Sequence, residues 1–207
     1  MIRKFLLATL STLAITVFSG AVAHADTFGV VGNANPNATA TLNIISVSNT
    51  QLVFSFINTS AGVVTGAGFD LLGTGSFSLV SGVPQPGNQD FVFTTNAGNV
   101  PQFGSAVLDF AVVTHADNFA GGNPPSGVAS GATSAVFAVS GNFAGLTQQQ
   151  IADAVYIRFQ ALNTNPNSDV GHGGQGSPVP EPATMFLLGT GLAGVASRLR
   201  KRRAANN

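Results

Sequence analysis

The sequence predicts an all-β fold, an antiparallel β-sandwich of jelly-roll-like type over residues 26–170, flanked by an N-terminal signal peptide and a C-terminal single transmembrane helix. Three observations carry this. Short runs rich in β-branched and aromatic residues recur, clusters of Gly, Asn, Ser and Pro separate them, and no long stretch repeats with helical period. Many such runs at short spacing in about 150 residues fit one two-layered domain. Strands are expected over Thr41 to Val47, Gln51 to Ile57, Ser76 to Val80, Asp90 to Thr95, Ala106 to Val113, Ala135 to Ser140 and Ala154 to Leu162. Alternation is clearest at Leu52, Phe54 and Phe56, with Ser55 on the opposite face. One short helical turn is expected at Thr147 to Ile151, where Thr147 and Gln150 stand at capping-box spacing. The stretch from His115 to Gly131 reads as a long loop, and residues 171–178, rich in Gly, as a flexible linker. The sixteen Phe are the candidate core.

Composition closes several function classes. With no cysteine among 207 residues there is no disulfide framework, thiolate metal site or cysteine nucleophile. The formal net charge of zero hides an uneven distribution. Between residues 26 and 178 the only base is Arg158, against Asp26, Asp70, Asp90, Asp109, Asp117, Asp153 and Asp169; one Arg and seven Asp give −6. Such a body repels nucleic acid.

The remaining bases sit at the ends. Residues 1–25 have the three parts of a secretory signal: basic Arg3 and Lys4, an apolar run through Phe18, and the small-residue site Ala23-His24-Ala25, with cleavage leaving Asp26 first. At the other end, residues 179–182 read Val-Pro-Glu-Pro, 183–197 are apolar, and 198–203 hold Arg198, Arg200, Lys201, Arg202 and Arg203. Fifteen residues at about 1.5 Å each make roughly 22 Å of helix, short of a ~30 Å hydrocarbon core, so the segment spans as a marginal anchor aided by snorkelling arginines. The basic cluster stays cytoplasmic, which places Pro180, Glu181, Pro182 and the body on the outer side. Proline fixes φ and removes a donor, so the Pro-Glu-Pro stretch is an extended stalk.

Those last residues resemble the PEP-CTERM sorting signal of Gram-negative bacteria, in which a Pro-Glu-Pro motif precedes a short membrane helix and a basic tail. The resemblance covers about the last thirty residues. It implies recognition by an exosortase, a membrane-embedded cysteine-protease-like enzyme, with Glu181 as a recognition residue. Signal peptidase is the partner at the other end. It also implies an exported, inner-membrane-anchored precursor with its body in the periplasm, passed on to the cell surface or extracellular matrix, and association with exopolysaccharide. The tail is sometimes named an ice-binding protein C-terminal domain, but no regular Thr-x-Thr ladder stands in this sequence.

No catalytic site is expected. His115 and Asp117 could form a base and its orienting partner, yet no nucleophile is identifiable beside them and no Gly-x-Ser-x-Gly elbow occurs. No glutamate precedes Glu181, and the aspartates nominate no pair for glycoside hydrolysis. Asn163, Asn165, Asn167 and Asp169 alternate oxygens like the first part of a calcium loop and are the candidate metal ligands. Ser168 and Gly174 stand where an EF-hand needs glycine and glutamate, and an Asn-rich turn is the competing reading. Gly171 to Gly176 and Gly189 to Gly194 match the dinucleotide fingerprint by letter only, without a βαβ unit, so no cofactor is expected. The sequence therefore points to a non-enzymatic structural or interaction protein of the envelope. A carbohydrate-binding module is the alternative, set against the absence of Trp and the single Tyr, and a secreted hydrolase comes third.

Overall fold

The computed structural model describes residues 25–71, 75–80, 85–95, 97–104, 106–114 and 118–174. Its strands are β1 (Asp26–Gly32), β2 (Thr39–Val47), β3 (Gln51–Asn58), β4 (Val63–Phe69), β5 (Ser78–Leu79), β6 (Val92–Thr94), β7 (Phe110–Val113), β8 (Phe137–Ser140), β9 (Val155–Gln160) and β10 (Asp169–His172). The all-β, antiparallel expectation holds. In place of the two sheets of a sandwich, all ten strands join one sheet in the order β5-β8-β3-β2-β1-β10-β9-β4-β7-β6.

That sheet curls until its halves face each other. Phe54 of β3 and Phe69 of β4 are separated by four intervening strands in the ladder, yet their ring centroids are 4.9 Å apart. Twist accumulates over ten strands, and register shifts at Ile44/Ser46 and Val64/Gly66 bend the ladder further. The ends β5 and β6 have only two and three residues, and side chains close the seam between the halves. Gln89 donates to the Thr133 carbonyl (2.8 Å) and accepts from the Ala135 amide (2.9 Å), in the manner of a strand neighbour. Phe91 packs on Phe56 and Phe137 from across the same gap.

Alternation decides which residues enter the core. Phe28 and Val30 of β1, Ala40, Leu42 and Ile44 of β2, Leu52, Phe54 and Phe56 of β3, and Val155, Ile157 and Phe159 of β9 point inward and are buried. A second, smaller cluster lies on the outer face of β4, β7, β9 and β10. There Ala97, Val100, Phe103, Ala106, Leu108 and Phe119 cover Ala111, Val113, Tyr156 and Val170. The segment expected as a long loop is thus pinned over its described part: Phe119 belongs to this cover, and Val128 bonds Val64 in both directions (3.0 and 2.9 Å).

Strands β1, β4 and β10 were not among the expected ones. In β4 the glycines let neighbouring side chains approach: a Cβ on Gly68 would lie 2.5 Å from Leu108 Cδ1, and one on Gly66 3.2 Å from Val113 Cγ1. The first residues of the expected linker at 171–178 belong to the body instead: Gly171 and His172 lie in β10 and the Gly173 amide donates to the Val155 carbonyl (2.9 Å). These glycines serve contact rather than flexibility. A Cβ on Gly173 would lie 1.9 Å from the Ala152 carbonyl oxygen, whereas Gly29 of β1 has open space around it and no strained φ. Gly173→Ala is therefore expected to lower stability by about 1–3 kcal/mol. Gly29→Ala should hold or raise it by about 0.5 kcal/mol. Urea unfolding of the two variants checks the pair; equal midpoints would contradict it.

The helical turn forms as expected. Helix α1 (Gln148–Asp153) is capped by Thr147, whose Oγ1 accepts from the Gln150 amide (3.2 Å), while Gln150 Oε1 accepts from the Thr147 amide (2.9 Å). Its Ile151 and Ala152 are buried, which fixes the direction in which Asp153 and Ala154 lead into β9.

Candidate functional site

A cleft forms beside α1, where β4 and β10 end and β9 begins. Val155, Ile157 and Phe159 face the core, so Tyr156 faces outward on β9, paired with Gly68 on one side and His172 on the other. Leu108 occupies the space over Gly68, and Phe103 meets Tyr156 edge-on at 5.1 Å. Tyr156 and His172 lie 4.5 Å apart, tilted by 47°, and Phe103 and His172 are 5.8 Å apart. The result is a half-buried triangle of three rings in mutual contact.

Two carboxylates lie beside those rings. Asp70 follows β4, its amide held by the Ala154 carbonyl at 3.0 Å, and Asp153 ends α1, with Oδ1 accepting from Gln149 Nε2 at 2.7 Å. Together with Gln150, Tyr156 and His172 they line a cavity of about 360 Å³, whose apolar part is Leu71, Leu146 and Ala154. His172 also lines a second cleft of about 250 Å³, together with Val31, Gly32, Asn33 and Phe103. Gly174 makes room for the Asp153 carboxylate: its φ is +82°, and a Cβ there would sit 2.4 Å from Asp153 Oδ1.

Burial pushes the His172 imidazole below its ordinary value, and the fields of Asp153 and Asp70 only partly offset this. His172 is therefore neutral at pH 7. Burial, and secondarily Asp70, raises the Tyr156 phenol, which stays protonated. Arg158, two residues along the same outward face, is buried with its Nε unpartnered; Nη1 reaches only the Asp169 carbonyl, at 3.5 Å, and burial lowers its pKa while Asp169 raises it. The base that Arg158 adds to the body's charge is thus withheld from the surface, and the cleft is an acidic, aromatic recess. It can accept hydrogen bonds, hold a cation and pack a flat apolar face.

The residues singled out in the sequence lie elsewhere. Asp169 is fully buried at the start of β10, where Oδ2 accepts from the Ala34 (3.0 Å) and Asn35 (2.7 Å) amides, while Asn163, Asn165 and Asn167 are exposed. The Asp169 carboxylate is thus engaged by backbone amides inside the body, and the Asn-rich stretch is closed as a turn by the Leu162 amide on the Asn167 carbonyl at 3.0 Å. Among the described residues no group of three or more His, Cys, Asp or Glu could hold a metal ion. Ala25 is exposed and Asp26 opens β1. Ala23, His115, Asp117, Pro180, Glu181, Pro182, Arg198, Arg200, Lys201, Arg202 and Arg203 lie outside the described residues. So do the apolar runs of the signal peptide and of residues 183–197; among the described residues no helix is long and apolar enough to cross a membrane.

Sequence reasoning missed Asp70, Asp153, Tyr156 and His172 as a group. The available signal was the only tyrosine of the chain, standing on the outward phase of an otherwise apolar strand.

The first and last described strands pair with each other, Val31 with His172 and Gly32 with Gly171, so the body is closed before the Pro-Glu-Pro stretch begins. A body of this kind with a separate apolar and basic tail defines an exported domain with a C-terminal sorting signal. The signal is the PEP-CTERM protein-sorting motif, whose family model matches residues 178–203, and the chain is a protein that carries it, exported and sorted through an exosortase at the membrane. No curated protein and no solved structure matches the chain.

Proposed function

We propose that the body serves at the cell surface or in the extracellular matrix as a structural or interaction domain, acting by binding without a catalytic step. The observation that carries this reading is the closure of the fold by β1 against β10. All ten described strands lie ahead of the sorting motif at 178–203, so a cut near the motif is expected to leave the body whole. Export, anchoring and release then become successive states of one folded domain.

Intact-mass spectrometry of the protein from its native host, beside a strain lacking the sorting protease, tests this. The expected mature form begins at Asp26 and ends near Pro180 to Pro182 only when the protease is present. Survival of the tail to Asn207 in both strains would reject processing and leave a permanently tethered domain.

Exopolysaccharide binding is the second reading. It is supported by the placement of the only tyrosine beside His172, Asp70 and Asp153 at the rim of a cavity.

A further inference from the structure

Building on that second reading, we propose that the cleft between Asp70, Asp153, Tyr156 and His172 binds an amine-bearing sugar unit of a linear polysaccharide. The ring packs against Tyr156, and the ammonium lies toward the two carboxylates.

Size, shape and charge each narrow the ligand. A cavity of about 360 Å³ stands at the low end of the ~300–1,000 Å³ range of ligand sites, so it takes one ring rather than a large cofactor. Tyr156 is amphipathic and is backed edge-on by Phe103, which keeps its ring fixed as a flat wall with a polar tip. The apolar face of a pyranose fits such a wall, and its hydroxyls meet the acceptors Asp70, Asp153 and Gln150. Neutral His172 supplies no counter-charge to those carboxylates, and Arg158 is buried elsewhere on β9. An ammonium beside Tyr156 is favoured by the ring quadrupole and by both aspartates, whereas an anionic polymer is repelled by the −6 body. His172 lines the second cleft as well, which gives a neighbouring unit a place beside the first, one that an isolated amine would not use.

The probe is a four-unit β-linked glucosamine oligomer, titrated calorimetrically into the mature exported protein, with its fully N-acetylated counterpart and tetralysine as comparisons. The deacetylated sugar is expected to bind, and each comparison to bind at least about tenfold more weakly, equivalent to ~1.4 kcal/mol. Asp153→Asn and Tyr156→Ala should each lose about tenfold, while Tyr156→Phe, which keeps the ring, retains binding. Asp90→Asn removes an exposed charge elsewhere and should change nothing. Melting curves establish that each variant is folded.

Absence of binding by the glucosamine oligomer overturns the proposal. Equal binding of the acetylated sugar removes the ammonium from it, equal binding of tetralysine removes the sugar, and an equal loss in Asp90→Asn reduces the effect to net charge; each of these also overturns it. Binding of the acetylated sugar would leave the exopolysaccharide reading standing, and exosortase-dependent processing is decided separately by the mass measurement.

Discussion

Phe54→Ala is expected to destabilise the body by about 3–5 kcal/mol, the range for removing a buried aromatic ring. Against the ~5–15 kcal/mol that a domain typically possesses, this brings it close to unfolding at 37 °C. Phe54 is fully buried and occupies the point where the curled sheet meets itself, edge-on to Phe69 of β4 at 4.9 Å and tilted against Phe137 of β8 at 5.4 Å. Phe69 in turn stacks on Phe110, 4.9 Å away, which touches Phe77, Phe93 and Phe143. Removing one ring therefore opens a cavity in a network that substitutes for backbone bonds between the short ends β5 and β6. Equilibrium unfolding in guanidinium, with Val107→Ala as the comparison, measures it. Val107 is 74 % exposed, and its substitution should stay within about 0.5 kcal/mol. A loss at Phe54 no larger than at Val107 would mean that the two halves do not depend on this contact.

The all-β class was legible because period-two alternation survives wherever a strand has one face in the core, as in Leu52, Phe54 and Phe56. Strand β4 was not legible, because its outer face is covered by another segment of the chain. Both faces are then buried and, apart from Thr65, apolar or glycine, so the polar-apolar alternation that marks a half-exposed strand disappears. A different confusion hid β10 inside an apparent linker, since glycine at a close approach and glycine in a flexible tether look alike in sequence. One sheet rather than two was illegible for another reason: whether a sheet curls or splits is decided by ring contacts such as Phe54 with Phe69, between residues on strands distant in the ladder. The cleft depends on that curvature as well. Asp70, Asp153 and His172 come from the ends of three elements, and only Tyr156 carried a mark of its own. The sorting signal, by contrast, is linear and local, and its motif was readable at residues 178–203.

Asp169→Ala is expected to rival Phe54→Ala, though a single carboxylate rather than a ring is removed. The side chain is fully buried; Oδ2 accepts from the amides of Ala34 and Asn35, and Oδ1 from that of Val170 at 2.8 Å. It thereby ties the loop between β1 and β2 to β10, at the place where the chain's first and last described strands meet. Gly32 is fitted to it, since a Cβ there would lie 2.4 Å from Asp169 Oδ2. Alanine leaves those donors without an acceptor in a buried site, at about 1–3 kcal/mol for each one that water does not reach. Asp169→Asn separates geometry from charge. Its amide oxygen can still accept, but its NH₂ group is a donor facing a donor, so a smaller loss is expected than for alanine. Hydrogen exchange at the Ala34 and Asn35 amides supplies the second readout. Both should lose protection in Asp169→Ala while amides of β3, far along the sheet, fall only as much as global stability does. Unchanged protection at Ala34 and Asn35 would show that the loop holds without the carboxylate, and the closure of the body would then have to rest on the β1–β10 ladder alone.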